Sequence, residues 1–122
     1  MEVVITDRVK VALLEIMYSL RESAPESIYG QPNVYGEPYL DTYQKAEQFM
    51  NKMKNHILLN VGKSEKERLA DPESGYGHNK FYITFKSTPG ASTWYIFYTK
   101  HPRLRCYKVK MILNSKRMRR LP

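Results

Sequence analysis

Hydrophobic positions along the chain follow two periods, and the change between them divides it into a helical first half and an extended second half. Val3-Val4-Ile5 is a short β-branched run suited to a strand, and Thr6 and Asp7 are residue types that cap helices. Val9, Ala12, Leu13, Ile16, Met17 and Leu20 then recur at intervals of three and four, with Arg8, Lys10, Glu15, Arg21 and Glu22 on the remaining positions. At 3.6 residues per turn this spacing predicts an amphipathic helix of about four turns, ended before Pro25. A second helix is expected after Asp41 or Thr42 as its cap. Tyr43, Ala46, Phe49, Met50, Met53 and Ile57 form its apolar stripe, and Gln48, Lys52, Lys54 and Asn55 its outer side. Met50 and Met53 at this spacing read as core filler.

Between the helices, residues 25–39 carry a small echo, Tyr29-Gly30-Gln31-Pro32 and Tyr35-Gly36-Glu37-Pro38. Two copies are too few for a repeat architecture, and Gly and Pro here mean turns. The segment reads as an irregular surface loop whose tyrosines cover the edge of the core. Ser64 and Glu67 have capping-box spacing, which predicts a short helical turn from Ser64 to Ala70, stopped by Asp71-Pro72. Glu73-Ser74-Gly75-Tyr76-Gly77 reads as a loop.

From there the period becomes two. Phe81, Ile83 and Phe85 alternate with Tyr82, Thr84 and Lys86. Trp94 to Thr99 is almost continuously aromatic or β-branched, and Tyr107, Val109, Met111 and Leu113 alternate with Lys108, Lys110 and Ile112. Thr88-Pro89-Gly90-Ala91-Ser92 and His101-Pro102-Arg103 supply the breaks. Three strands with short connections predict an antiparallel meander. Phe81, Ile83, Phe85, Val109 and Met111 are expected to face the two helices. Lys80, Tyr82, Thr84, Lys86, Lys108 and Lys110 are expected on the opposite face. The whole chain, 1–122, is thus expected to be one α+β domain: a short N-terminal strand, two amphipathic helices, an antiparallel sheet of three to four strands, and a basic tail at 114–122.

Charge sharpens this picture. Nine of the twenty Lys/Arg and all twelve Asp/Glu lie in residues 1–75, whereas residues 76–122 hold the other eleven Lys/Arg and no acid. Ordinary surfaces mix both signs, because opposite charges relieve self-repulsion. A stretch of forty-seven residues without an acid therefore points to a partner that supplies negative charge, RNA first among them, with an acidic protein as the other source. No apolar run is long enough to span a bilayer, and the first residues lack a basic leader followed by an apolar stretch, so a cytoplasmic protein is expected, with no membrane partner. Cys106 is the only cysteine, which excludes an internal disulfide; it reads as a small buried residue on a strand. His56, His78 and His101 lack metal-ligand spacing, so neither a metal nor a cofactor is expected. His78 and His101 fall in expected loops. Gly75-x-Gly77 does not open a helix and gives no phosphate loop.

The order of elements and the local patterns resemble the RelE/ParE superfamily of bacterial toxins from toxin–antitoxin modules. Val3 to Ile16 is similar to that family's first strand and helix, including the Leu-x-x-Ile spacing. Lys45 to Met53 is similar to its second helix, Trp94 to Tyr98 to its central strand and Tyr107 to Leu113 to the strand after it. RelE-like members cut messenger RNA in the ribosomal A site, and ParE-like members inhibit DNA gyrase. The resemblance thus implies an RNA or ribosome partner, with gyrase as the alternative target, and an acidic antitoxin. A basic module that binds nucleic acid or an acidic protein without chemistry is the third reading.

Cutting RNA requires a base for the 2′-hydroxyl, cations for the developing phosphorane charge and an acid for the leaving oxygen. On the family's use of Lys, Arg and Tyr, the resemblance implies Lys80, Tyr82, Lys86 and Arg117 as catalytic candidates. Tyr95, Arg103, Arg105, Lys108, Lys110, Lys116, Arg119 and Arg120 are the candidates for RNA contact, with the tyrosines able to stack on bases. The chain departs from many ribosome-dependent members in ending Asn114-Ser115-Lys116-Arg117-Met118-Arg119-Arg120-Leu121-Pro122, without a terminal His or Tyr. No carboxylate follows Glu73 to serve as a base.

Overall fold

A computed structural model describes residues 1–21, 35–37, 40, 43–74, 76, 80–118 and 122. Strand β1 (Glu2–Ile5) runs directly into helix α1 (Asp7–Leu20), and helix α2 (Tyr43–Asn60) follows. Then come a two-residue strand β2 (Arg68–Leu69) and the longer strands β3 (Phe81–Phe85), β4 (Trp94–His101) and β5 (Cys106–Asn114). They form one sheet in the order β1-β5-β4-β3-β2, antiparallel except for the parallel edge pair of β1 with β5. This is the expected α+β architecture with one strand more than the three to four anticipated. No helix among the described residues is long and apolar enough to cross a membrane.

The helical stripes bury as their spacing dictates. Val9, Leu13, Ile16 and Leu20 of α1 and Ala46, Met50, Met53 and Ile57 of α2 are buried, and α1 packs on β5 while α2 packs on β3. Each such large aliphatic side chain contributes roughly 1.5–3 kcal/mol relative to exposure. Tyr43 departs from its expected place in the stripe. It is the first residue of α2 and stays 55% exposed, because the buried face begins only at Ala46. Asp41 and Thr42 lie outside the described residues. Thr6 precedes α1 as expected but does not cap it with its side chain; its hydroxyl donates to the Val109 carbonyl at 2.7 Å and welds the β1–α1 corner to β5.

The extra strand lies where capping-box spacing predicts a helical turn. The chain makes one turn, with the N–H groups of Lys66 and Glu67 donating to the Lys63 carbonyl, and then Arg68 and Leu69 pair with Tyr82 and Phe81. The Glu67 carboxylate is committed elsewhere. It accepts the Tyr98 hydroxyl and pairs with the Lys100 ammonium at 2.9 Å, so no capping box forms. Beyond β2, two side chains of α2 cover carbonyls at the end of β3 and just past it: His56 Nε2 lies 2.8 Å from the Thr84 oxygen and Lys52 Nζ donates to that of Ser87 at 2.7 Å. An edge closed in this way is a poor template for pairing with another chain.

Of the Tyr-Gly-x-Pro echo, only Tyr35, Gly36 and Glu37 fall within the described residues. The Tyr35 ring lies 5.3 Å from that of buried Trp94, and the buried Glu37 carboxylate accepts from Trp94 Nε1 at 2.9 Å and Ser87 Oγ at 2.7 Å. This part of the loop closes the end of the core.

Strand β5 corrects one expectation. Tyr98 pairs with Val109 and Phe97 with Met111, so Lys110 is an extra residue opposite no partner, a β-bulge. The alternation changes phase there. Val109 faces the helices, but after the bulge Ile112 and Asn114 take that face, and Met111 shares the other face with Phe97.

Candidate nucleic-acid interface

The strand register defines the face of the sheet turned away from the helices. Successive rows across β3, β4 and β5 bring together Thr84, Tyr95 and Leu113, then Tyr82, Phe97 and Met111, and then Thr99 with Lys108. Lys80 precedes β3 in phase with Tyr82, and Val4 of β1 lies beside Lys108. The face thus carries an aromatic patch in its middle and cations toward the end where β3 begins.

The aromatic patch is tightly knit. Tyr82 lies 5.5 Å from Tyr95 and 5.7 Å from Phe97, and Tyr76 stacks on Phe97 at 5.9 Å between ring centres. Phe97 is fully buried beneath these rings, while Tyr76, Tyr82 and Tyr95 remain half-buried. Burial, then the neighbouring Tyr82, raises the Tyr95 hydroxyl above the ordinary tyrosine range. Tyr95 therefore keeps its proton at neutral pH and is suited to donating a hydrogen bond or a proton, not to acting as a base.

Beside the patch lies a groove of about 460 Å³ lined by Thr6, Arg8, Lys80, Thr99 and Lys110. Among the described residues, none of its three cations has a carboxylate within ion-pair distance. The Thr99 hydroxyl contacts His101 Nε2 at 2.7 Å, and His101 is the last residue of β4, whereas the sequence pattern places it in a loop. Arg103 and Arg105 lie in the turn beyond it, with Pro102–Leu104 in a 3-10 turn and Arg105 in the left-handed region at φ 53°.

The residues expected to form one site divide between two ends of the sheet. Lys80 and Tyr82 adjoin the groove, with Lys108 and Lys110. Lys86 is six residues along the chain from Lys80, about 20 Å at 3.3 Å per residue. It shares the far end with Arg117, whose 3-10 turn Ser115–Arg117 is tied to Thr93 by the Ser115 N–H at 2.8 Å. Lys86 and Arg117 thus do not join Lys80 and Tyr82 in a compact constellation. The backbone of Lys116 is capped by Asn114 Oδ1 at 2.9 Å, and its side chain reaches the Gly36 loop. Arg119, Arg120 and His78 lie outside the described residues.

Two residues come to this face that the sequence pattern did not bring there. Arg8 reads as the solvent side of α1, and the pairing of β1 with β5, with the Thr6 hydroxyl bonded to the Val109 carbonyl, carries it to the groove. Glu2 falls in the row of Cys106 and His101 through the parallel pairing of β1 with β5, so a carboxylate from the start of the chain borders this face. The signal for both is the parallel edge pair, a contact between residues more than a hundred positions apart, on which local periodicity is silent. Cys106 is buried, and among the described residues no group of three His, Cys, Asp or Glu could hold a metal ion.

On the helical side an apolar groove of about 390 Å³ runs between α1 and α2. Ile5, Leu13, Leu14, Met17 and Met50 line it, with Lys10 and Lys54 at its rim. Val11, Leu14 and Tyr18 are exposed along α1 beside it.

Comparison of the chain with family models, with curated proteins and with solved structures returned no match.

Proposed function

We propose that this chain is an RNA-binding toxin of the RelE/ParE kind, a ribosome-dependent messenger-RNA endoribonuclease that works in the cytoplasm and is held in check by an acidic antitoxin. The observation that carries the reading is the outer face of the sheet, where a shelf of half-buried tyrosines adjoins cations that have no carboxylate partners among the described residues. Stacking on aromatic rings and neutralisation of phosphates are the two interactions with which proteins hold single-stranded RNA. The element order that the resemblance implies, strand, helix, helix and basic meander, supports the same assignment.

In this reading Lys80, Lys108 and Lys110 hold the RNA backbone and offset charge that develops on the phosphorane. Tyr82 and Tyr95 receive a base, their rings forming the shelf beside the groove. His101, linked through Thr99 to the groove, is the group with the chemistry to accept the 2′-hydroxyl proton. Lys86 and Arg117, at the far end, extend the track for the strand. The antitoxin covers the apolar groove between α1 and α2, where Lys10 and Lys54 favour an acidic segment with apolar anchors.

Controlled expression in a bacterial host tests the assignment. Growth arrest with loss of translation and cleavage of messenger RNA at ribosomal A sites is the expected result. Arrest with DNA-damage signalling and uncut messenger RNA would replace RNA by gyrase as the target. Untouched growth and translation would remove the toxin reading altogether.

A further inference from the structure

We infer that the groove lined by Thr6, Arg8, Lys80, Thr99 and Lys110 is a dedicated phosphate site, with Arg8 as an anchoring residue. The inference rests on the nucleic-acid reading above for its choice of phosphate over carboxylate. Three observations carry it. The groove gathers its cations from three separate elements, α1, the residue before β3, and β5, and Thr6 and Thr99 complete its lining, the Thr6 hydroxyl already donating to the Val109 carbonyl. Like charges so placed repel one another, and among the described residues no carboxylate pairs with any of them.

Lys110 reaches this position as the extra residue of the bulge. A regular ladder would set Lys110 opposite Phe97; as the bulge residue it has no cross-strand partner, and bulges commonly occur beside functional sites. Arg8, finally, is the second residue of α1, where the helix dipole is positive and a cation is disfavoured. Asp7 already supplies a first-turn carboxylate, and an anion in the groove offsets the conflict further, since it is attracted to both the guanidinium and the helix end. The adjoining Tyr82 lies two residues along β3 from Lys80, about 7 Å, which is the reach from a phosphate to a neighbouring base. The ligand is therefore a phosphate carried by a nucleotide, with its base on the Tyr82–Tyr95 shelf.

Backbone amide NMR titrations of the full chain with inorganic phosphate, adenosine 5′-monophosphate and a six-nucleotide oligouridine would test this. Saturable shifts confined to Thr6, Arg8, Lys80, Thr99 and Lys110 are expected with phosphate, extending to Tyr82 and Tyr95 with the nucleotide. Arg8→Gln and, separately, Lys110→Gln should weaken phosphate binding by about tenfold or more, the effect of losing one charge-assisted hydrogen bond, while Lys63→Gln, at an exposed turn outside the groove lining, leaves it unchanged. Unsaturable shifts spread over the whole basic surface would overturn the site, as would wild-type phosphate binding by folded Arg8→Gln. If phosphate and the nucleotide saturate while the oligouridine does not bind, the site stands with a free nucleotide as its ligand and the RNA reading fails. If the oligouridine binds folded Arg8→Gln as it binds wild type, the RNA reading stands and the anchoring role of Arg8 falls.

Discussion

The hydroxyl of fully buried Tyr98 donates to the carboxylate of Glu67, joining the centre of β4 to the turn that follows α2. The same hydroxyl accepts from the Gly62 N–H at 3.3 Å, and Glu67 holds Lys100, whose ammonium lies 4.2 Å over the Phe81 ring. Tyr98→Phe keeps the ring but removes the partner of the Gly62 N–H and of one Glu67 oxygen, the other staying with Lys100, so a loss of about 1–3 kcal/mol at neutral pH is expected in urea unfolding.

The same contact fixes a pH dependence. Burial, then the hydrogen bond to Glu67, raises the Tyr98 hydroxyl well above its unfolded value of about 10. A group whose folded pKa is raised contributes stability that is complete below the unfolded value and is lost as pH climbs from there toward the folded one. Stability should therefore fall above about pH 10, and Tyr98→Phe should flatten that fall in a pH series of urea midpoints. An unchanged alkaline limb would show that other groups set it.

Gly62 lies in the left-handed region at φ 86°, and a Cβ there would come within 2.4 Å of the Tyr107 ring. Gly62→Ala combines backbone strain of about 1–2 kcal/mol with overpacking of about 1–3 kcal/mol. In a double-mutant cycle, Tyr107→Ala should recover the overpacking part and leave the backbone part. Additive effects would mean that the clash is absorbed elsewhere.

How much of this molecule the sequence discloses depends on the range of the interaction involved. Val9, Leu13, Ile16 and Leu20 declare α1 because the pattern and the contact surface share a period of 3.6. Phe81, Ile83 and Phe85 declare β3 for the corresponding reason at period two. The phase of β5 is legible only as far as Val109. Regular alternation puts Met111 in the core, and the bulge at Lys110 hands that role to Ile112. Glu67 has the spacing of a capping residue, yet a tertiary hydrogen bond to Tyr98 outcompetes the local one. The basic face was legible from charge and alternation together, and six residues of extended chain already separate Lys80 from Lys86; that Lys108 and Lys110 join the first end and Arg117 the second follows only from the antiparallel register of β4 with β5.

That division makes its own prediction. Lys108→Glu with Lys110→Glu should weaken single-stranded RNA binding strongly. It should also lower the slope of log K against log salt by about 1.4, the value for two released phosphate contacts. Lys86→Glu with Arg117→Glu, the same charge change at the far end, should cost less affinity with short oligonucleotides and a comparable amount only with longer ones. Equal losses at every length would mean that the two ends act as one site.

Arg105 poses stability against function within one residue. Its φ of 53° costs a non-glycine side chain about 1–2 kcal/mol, and it sits in an exposed turn with no side-chain partner among the described residues. Arg105→Gly should raise the thermal midpoint by a few degrees while lowering RNA affinity. A variant that is more stable and binds as wild type would remove Arg105 from the interface.

Deletion of Lys110 separates the bulge from the fold. Val109 pairs with Tyr98 on the helix side and Met111 with Phe97 on the outer side, so removing the residue between them leaves a regular ladder with every later side chain on its present face. The deletion variant is therefore expected to fold with Ile112 still in the core, which cross-strand NOEs between Phe97 and Met111 would report. Because an unpaired residue disrupts a ladder locally, stability should hold or rise. RNA and phosphate binding should fall as far as in Lys110→Gln, because only the cation in the groove has been lost. A deletion that unfolds the chain, or that moves Met111 into the core, would show that the bulge sets the strand register. One that folds and binds as wild type would show that Lys110 contributes nothing to the groove.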